Sequence, residues 1–229
     1  MPDARARLMA YDAVVFDMDG VLVDSERILR DCWTAAAAEL GRALPGSLFQ
    51  RLIGTSRAAS ERILREELGD DFPLADVFAR ARVLVDAATA EGWPPRPHAA
   101  DLLAQLAGLG VPLAVASSTR RAAVEQRLET AGLLRHVDAI CAGDEVSEGK
   151  PHPEIYLTAA GRIGARPRRC IAVEDSLHGV RSAHAAGMRT VLVPDLVVPP
   201  DPLPEVVHHR FASLAESRPH LLAWLGFTD

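Results

Sequence analysis

The sequence predicts a doubly wound α/β fold, a mostly parallel sheet with helices on both faces, plus an inserted all-α segment of four helices. Three observations predict it. Ala13-Val14-Val15-Phe16 is an uninterrupted apolar run of β-branched and aromatic character, suited to a strand buried on both faces, and it runs into Asp17 and Asp19. Residues 25–92 read as helical throughout, with no convincing strand. From residue 98 onward, short apolar runs alternate with helical stretches, as in parallel strands joined by right-handed crossovers.

After the opening strand, Asp24 or Ser25 is placed to cap a helix reaching about Leu40, where Gly41 supplies a stop. Ile28, Leu29, Cys32, Trp33, Ala36 and Leu40 recur on it near a 3.6-residue period. Further helices are expected over 48–53, 58–68 and 74–90, with the turn Gly54-Thr55-Ser56-Arg57 between the first two. Trp93-Pro94-Pro95-Arg96-Pro97 is stiff, because proline fixes its own φ and biases the preceding residue toward extended backbone. It reads as a return linker, so residues 1–24 and 93–229 form the expected α/β core and 25–92 the inserted helical domain. Within the core, strands are expected at 113–116, 139–141, 170–173 and 190–193, and helices at 98–109, 121–131, 153–163 and 177–186. A Pro-rich connection over 194–204 and a last helix over 214–225 complete the chain.

With 229 residues, 48% of them hydrophobic and 5% aromatic, the chain can bury one good core, or one core plus a small accessory one. A formal charge of -6 argues against a nucleic-acid surface, which needs a basic face for phosphates. Residues 1–10 hold Arg5 and Arg7 but no apolar core, and no apolar run reaches membrane length. A soluble, cytoplasmic protein with no membrane partner is expected, a monomer or weak homodimer. Cys32, Cys141 and Cys170 lack the spacing of a zinc site or disulfide framework and read as buried thiols.

The chemistry collects where strands end. In a parallel sheet the carboxyl ends share one edge, which is where open α/β sheets bind ligands. The first strand delivers Asp17 and Asp19, the second Ser117-Ser118-Thr119, the third leads through Gly143-Asp144 to Lys150-Pro151, and the fourth delivers Glu174-Asp175. This is equipment for phosphoryl transfer. A phosphate monoester repels an attacking carboxylate, so attack by Asp17 needs a divalent cation and an ammonium to take up charge. Lys150 supplies the ammonium. Asp17 and Asp175 are the expected side-chain ligands of one Mg2+, with Glu174 on a metal-bound water and Asp19 adding at most its backbone carbonyl. Asp19 is free to protonate the leaving alcohol and then deprotonate water, while Ser117 and backbone amides from Met18 to Gly20 can bind phosphoryl oxygens.

Each motif alone has a plainer reading: a turn for Asp-x-Asp-Gly, a cap for Ser117, N-terminal helix charge for Glu174-Asp175-Ser176. Four such ends on one sheet edge are hard to obtain from capping alone. An EF-hand fails, since Gly20 sits at the fourth loop position and Ile28 at the twelfth. With no Gly-x-Ser-x-Gly elbow, an α/β-hydrolase triad has no nucleophile. No histidine is assigned a role.

Asp17-Met18-Asp19-Gly20-Val21-Leu22-Val23-Asp24-Ser25-Glu26, Ser117, Lys150-Pro151-His152-Pro153 and Glu174-Asp175-Ser176 resemble the four signature motifs of the haloacid dehalogenase superfamily, in order and at suitable spacing. Within it the chain resembles the β-phosphoglucomutase-like branch, whose four-helix cap is inserted soon after the first strand. The resemblance implies a Rossmann-like core and an Mg2+-dependent phosphatase or phosphomutase acting on a small phosphorylated metabolite. Asp19 points to an alcohol leaving group, because the superfamily's dehalogenases lack an acid at that place. Ile53 and Leu29 stand where the mutases carry a cap lysine and a histidine, which weakens a mutase reading. Ser56-Arg57 and Thr119-Arg120 match positions that bind a non-transferring phosphate or acid group there, and Gly20, Gly54 and Ser118 complete the expected substrate contacts. Ile53, Thr55, Arg57, Trp33 and Arg82 are candidate specificity residues. The expectation is a sugar-phosphate or sugar-acid-phosphate phosphatase using an aspartyl-phosphate on Asp17, with a phosphosugar mutase and a non-catalytic phosphosugar-binding protein as alternatives.

Overall fold

A computed structural model describes residues 11–52, 57–199 and 201–227. Ile53, Gly54, Thr55 and Ser56 lie outside the described residues. Strands β1 (Ala13–Phe16), β2 (Leu113–Ser117), β3 (Ala139–Ala142), β4 (Cys170–Glu174), β5 (Arg189–Leu192) and β6 (His209–Arg210) form one sheet in the order β3-β2-β1-β4-β5-β6. Every pairing is parallel, with Val15 opposite Ala114 on one side and Ala172 on the other.

Strand alternation divides β1 between two cores. Val14 and Phe16 join a cluster with Leu102, Leu103 and Leu106 of α5 (Ala99–Gly108), Val124 and Leu128 of α6 (Arg121–Thr130), and Leu221 and Leu222 of α9 (Leu214–Trp224). Ala13 and Val15 face a smaller-residue cluster with Ile155, Tyr156 and Ala159 of α7 (Glu154–Arg162) and Ala183 of α8 (Leu177–Ala185). Both faces are thereby covered, which an all-apolar parallel strand demands. Truncating Phe16, fully buried at the centre, would cost about 3–5 kcal/mol.

Between β1 and β2 lie α1 (Ser25–Glu39), α2 (Gly46–Leu52), α3 (Arg57–Leu68) and α4 (Leu74–Ala88). They bury a third cluster of their own, including Ala36, Phe49, Leu52, Leu64 and Val77, with the Trp33 ring edge-on to Phe49 at 5.8 Å. The two linkers to the sheet run side by side. Asp24 N donates to Pro94 O at 2.9 Å and Arg96 N to Leu22 O at 2.8 Å. Asp195, beyond β5, reaches both: its Oδ1 lies 2.7 Å from Arg27 and 2.8 Å from Arg96. These are close ion pairs without the alignment of hydrogen bonds, and neighbouring Leu196 packs on the helical cluster.

Several local expectations need correction. Neither Asp24 nor Ser25 caps α1 by a side chain. The Asp24 carboxylate takes Arg27 at 2.7 Å and the Ser25 hydroxyl takes Asp19 at 2.5 Å, because charged partners compete better than a backbone amide. β2, β3 and β4 each run one residue further than expected, so Ser117 and Glu174 are the last residues of their strands. β6 was not expected, its two residues being too few for an alternation to register. All three cysteines are free and buried. No helix among the described residues is long and apolar enough to cross a membrane.

Candidate active site

Asp17 follows β1 directly and prolongs its ladder, donating its N–H to Val173 O at 2.9 Å. Because Phe16 pairs with Val173, Asp17 emerges beside Glu174 and Asp175 at the end of β4. Lys150 arrives from the segment after β3, across a cis Lys150–Pro151 peptide. Its Nζ donates to Asp17 Oδ1 and to Glu174 Oε1, both at 2.5 Å, with 3% of the side chain exposed. Tyr156 Oη donates to the same Glu174 oxygen at 2.6 Å, and its ring centroid lies 5.1 Å from the ammonium.

Two glycines permit this packing. A Cβ on Gly179 of α8 would fall 1.7 Å from Glu174 Oε1, and one on Gly20, whose φ is +79°, 2.3 Å from Asp175 Oδ2. The Gly20 amide donates to Val23 O at 3.0 Å, closing the turn rather than facing a ligand.

One oxygen from each of Asp17, Glu174 and Asp175 lies within 4.8 Å of the others. Burial pushes the Asp17 carboxyl up to about 8, against the pull of Lys150 and helped by Glu174 and Asp19. Burial also raises Asp175 well above the carboxylate range, with Glu26, Glu174 and Asp17 adding to it. Lys150 is held charged, burial being outweighed by Asp17 and Glu174. Three buried carboxylates against one ammonium leave a formal surplus of two negative charges. Hard oxygen donors with that surplus fit a small divalent cation such as Mg2+.

The Asp19 side chain is not part of this triad, in which Asp19 is expected to share at most through its backbone carbonyl. Its Oδ1 accepts from Ser25 and from Arg127 Nη1, each at 2.5 Å, and its Oδ2 from Thr119 Oγ1 at 2.8 Å and Ser117 Oγ at 3.4 Å. Burial raises Asp19, but Arg127, Ser25 and Thr119 outweigh it and hold the carboxyl below its usual value. Ser117 is fully buried, its hydroxyl turned to Asp19 and accepting from Thr119 N at 3.1 Å.

A cavity of about 870 Å³ opens between the sheet edge and the helical insertion. Asp17, Asp19, Lys150, Glu174 and Asp175 line its floor, and Ser118, Thr119 and Arg120 one wall. Trp33 and Arg82 face it from the helices. Ser117 and Gly20 are not on its wall. Arg57 opens α3, and Gly54 and Ser56 fall outside the described residues.

Three site residues escaped the sequence reading. Arg127 shares a helix face with Val124 and Leu128, and an arginine on an apolar stripe is the signal that would have found it. Tyr156 stands on the Ala-rich buried face of α7, where a phenol needs a partner. Glu26, 7% exposed and pushed up to about 9 by burial and by Asp19, leaves Oε2 without a hydrogen-bond partner. Only its place in the fold reveals it.

The model of the haloacid dehalogenase-like hydrolase family matches residues 11–187. Protein CbbY of Cereibacter sphaeroides is 37% identical over 195 residues, covering 80% of this chain and 84% of that protein. The phosphorylated carbohydrates phosphatase of Thermotoga maritima is 31% identical over 180 residues, covering 79% and 83%. The crystal structure of CbbY from Rhodobacter sphaeroides in complex with phosphate superposes with a TM-score of 0.75 at 32% identity, covering 90% of this chain and 96% of that one. The chain therefore belongs to the haloacid dehalogenase-like hydrolases. Within them it is a phosphoric monoester hydrolase of the β-phosphoglucomutase-like branch.

Proposed function

We propose that the protein is an Mg2+-dependent phosphatase of small phosphorylated metabolites, of the sugar-phosphate or sugar-acid-phosphate class, working through an aspartyl-phosphate on Asp17. The observation that carries it is the carboxylate triad with Lys150 at its centre, on the floor of a cavity large enough for such a substrate. The name of the Thermotoga relative, a phosphorylated carbohydrates phosphatase, supports the substrate class. Asp17, Asp175 and Glu174 would hold Mg2+, which when bound supplies the positive charge that lets a carboxylate approach a phosphate dianion.

Asp17 attacks phosphorus as a carboxylate, and the ester oxygen leaves with a proton from Asp19, which has to take one up as substrate displaces its present donors. Lys150 keeps Asp17 oriented and takes up charge on the phosphoryl oxygens. Asp19 then removes a proton from the water that hydrolyses the aspartyl-phosphate. Ser118, Thr119 and Arg120 stand at the mouth to hold the remote end of the substrate, and α1–α4 act as a cap that closes over it and excludes water.

The test is release of inorganic phosphate from a panel of sugar phosphates and sugar-acid phosphates with Mg2+, with Asp17→Asn as control. Turnover that Asp17→Asn abolishes is expected. Isomerised sugar phosphate without phosphate release would overturn the phosphatase reading in favour of a mutase, and no turnover would overturn catalysis altogether.

A further inference from the structure

Asp19 is placed by more than its own strand end. A general acid must bring one oxygen within about 2.6–3.2 Å of the atom it protonates, yet here both Asp19 oxygens are taken by protein donors. The contact with Arg127 carries full opposite charges, which makes it the strongest of the four. Arg127 comes from the sheet side, on α6, with 13% of its side chain exposed. It lines the cavity beside the carboxylate.

The other face of the guanidinium lies on the return linker, with its Cζ 4.3 Å from the centroid of the Trp93 ring. Trp93 is 5% exposed, and its N–H donates to Thr130 Oγ1 at 3.3 Å, one turn beyond Arg127 on the same helix. A Cβ on the preceding Gly92 would stand 3.0 Å from Thr130 O, so this linker sits close against α6. At the start of α1, where the outgoing linker ends, Ser25 donates to the Asp19 oxygen that Arg127 also holds. The two linkers hydrogen-bond to each other, so Asp19 is held from both sides of one joint.

We infer that Arg127, held against Trp93 of the return linker, is a positioning residue for the Asp19 carboxylate. The inference rests on the phosphatase reading above. Arg127 fixes the direction in which Asp19 points, and one Asp19 oxygen must exchange the guanidinium for the ester oxygen, and carry a proton, to act as the acid. A guanidinium suits the task because its plane can stack on an indole while its edge donates to a carboxylate.

The test compares glucose 6-phosphate, whose leaving alkoxide needs a proton, with p-nitrophenyl phosphate, whose leaving group departs as a stable anion. Arg127→Met keeps a long apolar stem against Trp93 and removes the charge. Relative to wild type, kcat/KM for glucose 6-phosphate should fall about 10²-fold and that for p-nitrophenyl phosphate less than about tenfold, with KM for both moving little. Arg127→Lys should recover part of the difference, since it restores a cation at reduced reach. Equal loss on both substrates, or recovery absent in Arg127→Lys while both variants keep the wild-type Tm, would overturn the positioning role. Should wild type release phosphate from neither ester, the phosphatase reading fails first and the role of Arg127 with it. Wild-type activity with an unselective Arg127→Met defeats the inference alone.

Discussion

Lys150 donates to Asp17 at 2.5 Å across 133 positions of sequence, and no solvent screens the pair. Lys150→Met leaves Asp17, Glu174 and Asp175 buried without their counter-charge. Breaking a buried pair in this way costs about 3–5 kcal/mol, and losing a preorganised cation costs about 10²–10³ in turnover. Thermal unfolding and phosphate release measure the two losses separately.

Gly179→Ala isolates packing from helix propensity. Inside a helix alanine is favoured over glycine by about 1 kcal/mol, yet here the added Cβ would occupy the place of the Glu174 carboxylate. The steric term should win. The Mg2+ concentration for half-maximal activity is expected to rise about tenfold or more, read from a metal titration of phosphate release.

Chelation should abolish turnover and lower stability. A cation that binds the folded triad and not the open chain stabilises by about 2.7 kcal/mol at a hundredfold excess over Kd. The expected result is a Tm that rises with added Mg2+ and an EDTA-treated protein without phosphatase activity. A Tm indifferent to Mg2+ would count against Asp17, Glu174 and Asp175 as ligands.

Glu145 is a source of acid sensitivity away from the site. Glu145 accepts from Arg162 Nη1 at 2.9 Å and from Ala142 N at 2.8 Å, and Arg162 above all holds its carboxyl down at about 2. A carboxyl depressed in the folded state adds stability that is present above its unfolded value of about 4.3. That stability is lost as pH falls through the folded value. Glu145→Gln should therefore cost about 1 kcal/mol at neutral pH. It should also flatten the decline in Tm between about pH 5 and pH 2.

Asp195 offers a different lever. Its side chain is fully enclosed, burial raises its carboxyl despite Arg96 and Arg27, and it is the shared partner of both arginines. Asp195→Ala should lower stability by about 3 kcal/mol and raise KM more than it lowers kcat, because it loosens both linkers without touching the triad. Calorimetry with steady-state kinetics on glucose 6-phosphate distinguishes this from a change in chemistry.

The candidate edge was legible because the expected site residues stand just after apolar runs, as Asp17 after Phe16 and Glu174-Asp175 after Val173, and parallel topology does the rest. Lys150 could be read because its chemistry was missing from an otherwise complete set. Glu26 could not, since neither spacing nor composition says which face of a helix meets the strand ends. The side-chain cap expected of Asp24 or Ser25 failed for a related reason: local rules see only the next turn, while Arg27 and Asp19 offered stronger partners. Asp195 sits in a Pro-rich connection that reads as mere linkage, and its enclosure depends on two linkers from elsewhere in the chain.

The paired linkers make the helical segment exchangeable. Leu22 to Asp24 leaves the sheet edge hydrogen-bonded to Pro94 to Arg96 returning to it, so the ends of everything between them already meet. Closing a loop costs little more as it lengthens, so the length of what lies between these ends adds little to the cost of bringing them together. New specificities can then arise by lengthening, trimming or grafting that one segment, while Asp17, Lys150, Glu174 and Asp175 stay where the strands put them.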